Sequence, residues 1–230
     1  MSLDIACLSL TIILTRSLYR VGAGSPVIEE ALRKISAGLG SGSDSPDLYA
    51  KTIAKSFFLS IDQAHAVHPN YASKHEAQHS PKINAGLVIK TNQNQRYATN
   101  GVTGFVVREL ARLSKLPIQE FCVRNDCPCG STIGPIISTR TGVRTIDAGM
   151  PQLSMHSCRE VMGIADCKFV CLVLNDIDYV LYVYFRLSHF PCPPLQTVTY
   201  GVELFKSFFT NFRKIDESME LWIPTSNYWK

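Results

Sequence analysis

The run Ser56-Phe57-Phe58-Leu59-Ser60-Ile61-Asp62 is a short apolar stretch of strand length, closed abruptly by a polar cluster that begins with a carboxylate. It predicts a β-strand with Asp62 at its carboxyl end. On either side of it the hydrophobic period changes from strand to helix. Upstream, Ser25-Pro26 followed by Glu29 and Glu30 predicts a helix start: serine can accept an orphan backbone N–H, proline loses nothing at the first position, and acids suit the positive helix end. Val27, Ile28, Ala31, Leu32 and Ile35 mark one face of that helix, which the glycine- and serine-rich residues 38–46 should stop.

Downstream, Val102, Phe105, Val106, Leu110 and Leu113 keep the three-to-four spacing of a second helix. Gly142-Val143-Arg144-Thr145-Ile146-Asp147 predicts another strand, and Ser157-Cys158-Arg159-Glu160 has the spacing of a capping box, which places His156 just before a predicted helix. Leu204, Phe205, Phe208, Phe209 and Phe212 predict a last helix over 202–212, with a wide apolar face that needs cover. Strands alternating with helices give an α/β fold class.

With 230 residues and 46% hydrophobic composition, the chain can bury a core as one domain or a large part of one. Its net charge of +4 comes from scattered Lys and Arg, so no basic patch for nucleic acid is predicted. Eight cysteines show no repeating spacing and fit reduced thiols in a cytoplasmic protein better than a disulfide framework. The apolar stretch 5–14 is too short to span a membrane, and Asp4 stands where a signal peptide carries positive charge.

The densest chemistry lies at 62–79, where Asp62, His65, His68, His75 and His79 include four of the six histidines of the chain. Imidazole and carboxylate are suitable zinc ligands, and the carboxyl end of a strand in an open α/β sheet is where ligands gather. Spacing alone equally allows His65 and His68 to be hydrogen-bonded turn residues and His75 and His79 to lie at the surface. With no glutamate between the histidines, the pattern is not His-Glu-x-x-His. Cys127-Pro128-Cys129 has neither redox nor zinc-finger spacing and reads as packing, and Gly130 to Pro135 is a glycine-rich stretch without the ending of a phosphate loop.

Three segments together carry a resemblance: Asp62-x-Ala64-His65-Ala66-Val67-His68-Pro69-Asn70-Tyr71; Arg124-Asn125-Asp126 with Cys129-Gly130-Ser131-Thr132-Ile133-Gly134-Pro135; and Gly149-x-Pro151-Gln152-Leu153-Ser154-Met155-His156-Ser157-x-Arg159-Glu160. In this order they resemble the aspartyl aminopeptidases, dinuclear zinc peptidases of the M18 family, over about 21–166 and again over 200–217. The resemblance implies a three-layer sandwich in which helices flank a central mixed sheet, part of a zinc-exopeptidase catalytic domain. It implies that Asp62 ligates one zinc and His156 the other, and that His65, Lys90 and Tyr97 contact the substrate, Lys90 suiting an acidic side chain. In such enzymes two zincs share a water, whose proton a glutamate takes as the water attacks the peptide carbonyl. Peptides with an acidic amino-terminal residue are the implied substrates, and a cytoplasmic homo-oligomer without membrane or nucleic-acid partners the implied state.

The same resemblance places a further histidine ligand, the bridging aspartate and a Glu-Glu pair before Gly22, where residues 1–20 match nothing in the family; the family's dimerisation domain is missing as well. No catalytic residue is therefore assigned, and the chain by itself is expected to be inactive, since two ligands cannot hold a zinc pair. Residues 168–196 stand where the family runs almost directly into its final helix. They read as an inserted hairpin or, because a long apolar aromatic surface stretch is an aggregation liability, as translated non-coding sequence. Two other functions compete: a non-catalytic truncated homologue that binds full-length subunits, and a single-metal module built on His68, His75 or His79.

Overall fold

In a computed structural model of the chain, residues 22–39, 47–167, 210–212 and 214–219 are described. The expected strand is β1 (Phe57–Ile61), and alternation along it sorts the molecule into layers. Phe57, Leu59 and Ile61 pack on one side of the sheet, where the main core gathers Leu87, Ile89, Val106, Leu110, Ile146, Met150, Phe212 and Ile215. Phe58 points to the opposite side and joins a second core with Ile28, Ile53, Ile137 and Val143. Helices cover both faces, which makes the three-layer α/β arrangement.

The helices are α1 (Val27–Leu39), α2 (Leu48–Ala54), α3 (Gly101–Leu113), α4 (Gly134–Thr141) and the short α5 (Ile164–Cys167). At the start of α1 the Ser25 hydroxyl accepts the Val27 N–H at 3.4 Å, as the Ser-Pro signal predicts. The capping box at the start of α3 was not read from the sequence: Asn100 Oδ1 accepts the Thr103 N–H while Thr103 Oγ1 accepts the Asn100 N–H.

The apolar face of α3 differs from expectation. Thr103, Gly104, Val106, Val107, Leu110 and Ala111 are its buried residues, whereas Val102, Phe105 and Leu113 are each more than 40% exposed. Val106, Val107, Leu110 and Ala111 join the main core, so the contact stripe lies to one side of the stripe that residue size alone would choose.

Four strands form the central sheet in the order β1-β5-β3-β4, with β3 at Leu87–Thr91, β4 at Ile118–Cys122 and β5 at Arg144–Gly149. The pairs β1·β5 and β3·β4 are parallel and β3·β5 is antiparallel, so the sheet is mixed. A second sheet has the order β2-β6-β7, from β2 (Ala64–His65), β6 (Pro151–Leu153) and β7 (Val161–Met162). It continues the β1·β5 pairing in unbroken register, Ile61 facing Ala148 and Ala64 facing Pro151. Between the two sheets Asp62 donates its N–H to Ala148 O, and Ala64 donates to Met150 O.

The helix predicted to start at Ser157 does not form, and the chain turns from 154 to 159 into β7. Glu160 Oε1 accepts the His156 N–H at 2.6 Å and Ser157 Oγ accepts the Arg159 N–H, so the capping groups close a turn instead of starting a helix. Of the helix predicted over 202–212, residues 210–212 are helical, and helix is also found beyond it at 214–219; 202–209, like 1–20 and 168–196, lie outside the described residues.

Candidate functional site

Asp62 follows β1, His65 lies in β2, Lys90 in β3, Tyr97 in the loop before α3 and His156 in the turn before β7. Backbone geometry presents two of them. A Cβ at position 149 would overlap the Asp62 carbonyl, so only glycine lets β5 pass behind the turn that carries Asp62. His156 itself has a φ of 69°, a left-handed backbone that the bond from its N–H to Glu160 holds in place.

His65 brings the group together. Its imidazole is held below the ordinary histidine range, first by lost hydration and then by the positive fields of Lys90, His75 and His156, while Asp62 pulls the other way. The same residue thus senses both expected metal ligands and the expected substrate lysine. His75 sets its ring edge-on to Phe121 with centroids 5.7 Å apart.

Lys90 is only 2% exposed, deeper than a surface partner for a ligand would be. Its ammonium donates to Gln63 O at 2.9 Å and stands 5.3 Å from the centre of the Tyr97 ring. Burial lowers its pKa, and the charges of Asp62 and Asp147 favour the protonated form. Tyr97 is held protonated chiefly by burial, and its hydroxyl oxygen accepts a hydrogen bond from Cys129 Sγ at 3.4 Å. Cys129 packs beside Tyr97, Ala64, Val88 and Phe121, the packing role read from its spacing.

The other histidines separate. His68 Nδ1 accepts the Asn70 N–H at the start of the 3-10 helix Pro69–Lys74, and His79 pairs with Glu76 at 2.5 Å. Among the described residues no three His, Cys, Asp or Glu side chains stand close enough to hold a metal ion. Asp62 and His156 are donors of the right chemistry for zinc, but the described residues by themselves do not complete a site.

Asp147 was missed as a site residue. It is fully buried, its carboxylate accepting Ser60 Oγ–H at 2.6 Å and the Ala98 N–H at 2.7 Å. A charged residue inside the run Thr145-Ile146-Asp147-Ala148 was the available signal, because an acid in a buried strand needs dedicated partners. Gln63, whose carbonyl receives Lys90, left no such signal.

The sequence pattern of the aminopeptidase I zinc metalloprotease (M18) family matches residues 16–177. A probable aspartyl aminopeptidase of Ricinus communis is 56% identical over 148 residues, 64% of this chain and 30% of its own. Among solved structures, the chain in the cryo-EM structure of an Ape4 and Nbr1 complex superposes with a TM-score of 0.70 at 40% identity, covering 88% of this chain and 32% of that one. The mApe1 dodecamer of S. cerevisiae superposes with a TM-score of 0.64 at 28% identity, covering 88% and 37%. The chain therefore spans about a third of the length of the proteins it matches.

Proposed function

This chain belongs to the M18 family of aminopeptidase I zinc metalloproteases, and from that membership we propose that it serves a zinc metalloaminopeptidase that removes acidic residues, Asp or Glu, from peptide amino termini. The observation that carries the reading is geometric: Lys90 donates at 2.9 Å to Gln63 O, between Asp62 and His65, and stands 5.3 Å from the Tyr97 ring, while β2 pairs His65 with Gln152 of the strand that leads to His156. Asp62 and His156 are two of the zinc donors, and His65, Lys90 and Tyr97 receive the substrate. A two-zinc site needs further donors, which the rest of an M18 catalytic domain supplies, joined to this chain or carried by another subunit.

Selectivity for acidic residues follows from the state of Lys90. A buried ammonium that has one bond to Gln63 O keeps two N–H donors, and a carboxylate offers it both charge and acceptors. A neutral His65 beside it can donate one N–H without adding a second buried cation. The assembly is a homo-oligomer, a reading supported by the dodecameric relative, and the compartment proposed for it is the cytoplasm. Among the described residues no helix is long and apolar enough to cross a membrane.

A second reading, a non-catalytic homologue that binds family-length subunits, is favoured by the lack of a three-donor group among the described residues. Zinc content and peptide hydrolysis separate the two. The purified 230-residue chain is expected to retain less than one zinc after dialysis and to release no amino-terminal aspartate. Chelator-sensitive release by this chain alone would overturn the view that its site needs donors from elsewhere. Failure of the chain to support zinc binding or hydrolysis when joined to the remainder of an M18 catalytic domain would overturn the enzyme reading.

A further inference from the structure

Three polar residues occupy neighbouring strands on one face of the central sheet. Ser60 of β1 is the register partner of Asp147 of β5, and the antiparallel register that sets Ile89 opposite Ala148 brings Lys90 of β3 opposite Asp147 one step further on. The two members on either side of Asp147 are themselves nearly closed to water, Ser60 at 2% and Lys90 at 2% exposed. A carboxylate in such a row, with no solvent to hydrate it, keeps its position only if its hydrogen bonds are dedicated.

Those bonds reach the loop that carries Tyr97. Ala98, the next residue, donates its N–H to Asp147 Oδ2 at 2.7 Å, and Thr99 Oγ1 accepts the Asp147 N–H at 2.9 Å while donating to Asp147 O at 3.2 Å. From the other side Gly134, the first residue of α4, comes so close that a Cβ there would overlap the carboxylate. The carboxylate thus has no room to shift, and its charge extends to both Lys90 and Tyr97.

We propose that Asp147 is the positioning residue of the substrate pocket, holding the Tyr97 ring and Lys90 in the arrangement that receives an acidic amino-terminal side chain without touching the substrate itself. The assignment rests on Lys90 and Tyr97 as substrate contacts, and the test keeps the two ideas apart. Label the chain with 3-fluorotyrosine, identify the Tyr97 fluorine signal through Tyr97→Phe, and compare wild type with Asp147→Asn. Titrate the same proteins, each joined to the remainder of an M18 catalytic domain, calorimetrically with Asp-Ala amide and with Ala-Ala amide.

In Asp147→Asn the Tyr97 signal is expected to move or broaden while that of the exposed Tyr71, in the 3-10 helix Pro69–Lys74, stays in place. Affinity for Asp-Ala amide is expected to fall about tenfold, the loss of one charge-assisted bond, with Ala-Ala amide unchanged. Should Asp147→Asn not fold, Thr99→Val replaces it, since it removes the bracket to the loop and keeps the carboxylate. A folded variant whose Tyr97 signal and preference for the aspartyl peptide both match wild type overturns the proposal. If wild type itself shows no preference for the aspartyl peptide, the substrate assignment falls and the proposal falls with it, whereas an altered preference in Tyr97→Phe beside an unaltered one in Asp147→Asn overturns the proposal alone.

Discussion

At the residue scale, single atoms decide what the site can hold. Gly149 is the sharpest case, because its missing Cβ is the space through which the Asp62 carbonyl passes. Gly149→Ala is expected to cost about 3 kcal/mol, an overpacking penalty with no flexible neighbour to absorb it. Urea denaturation monitored by circular dichroism measures that loss, and an unchanged midpoint would show that the two strands can separate at little cost. Lys90 makes the complementary point: its residue type was legible, but its burial and its bond to Gln63 O were not, because the partner is a backbone atom 27 residues away.

Elements are held by a few directed contacts added to apolar packing. Asn100→Ala removes the side-chain half of the α3 cap and should cost about 1 kcal/mol. A larger effect is expected where residues 210–219 meet the sheet. Arg144, at the start of β5, makes a two-bond ion pair with Asp216, and its guanidinium lies 5.9 Å from the ring centres of both Phe57 and Phe212. Those rings meet edge-on at 5.1 Å. Asp216→Ala leaves the partly buried Arg144 without its carboxylate and should destabilise by about 2 kcal/mol, read from the shift of the urea midpoint. A shift no larger than that of an exposed pair such as Arg112 with Glu109 would mean that the final helix docks by apolar contact alone.

For the whole molecule, the histidines predict how stability follows pH. His65 and His75 both have folded pKa values below the unfolded one, His75 through burial. The unfolded chain therefore binds more protons in the window from about 6.5 downward to the folded values, and stability falls as pH falls through that window. Above it the two histidines add no pH dependence. The urea midpoint is expected to drop between pH 7 and pH 5, and the double substitution His65→Asn, His75→Asn should reduce that drop. Asp166 works against the trend, since burial raises its carboxyl and acidification through that raised value favours the fold. An identical drop in the double variant would assign the acid sensitivity to other groups.

The sequence by itself determined the layer class, the strand that ends at Asp62, the start of α1 and the order of the three family segments, because each rests on local period or on contiguous residues. Through the family resemblance it also named Asp62, His65, Lys90, Tyr97 and His156 as site residues, and of these the fold sets Lys90 5.3 Å from the Tyr97 ring. Tertiary structure alone decided which face of α3 is buried, since the main core takes up Val107 and Ala111 and leaves Val102, Phe105 and Leu113 outside, a choice that the spacing of large residues does not record. It turned the Ser157 signal into a turn, in which Glu160 accepts the N–H of His156 and Ser157 that of Arg159. And it showed that the aspartate ending the predicted strand sits between Ser60 and Lys90, a relation set by strand order and register, which no local pattern in the chain records.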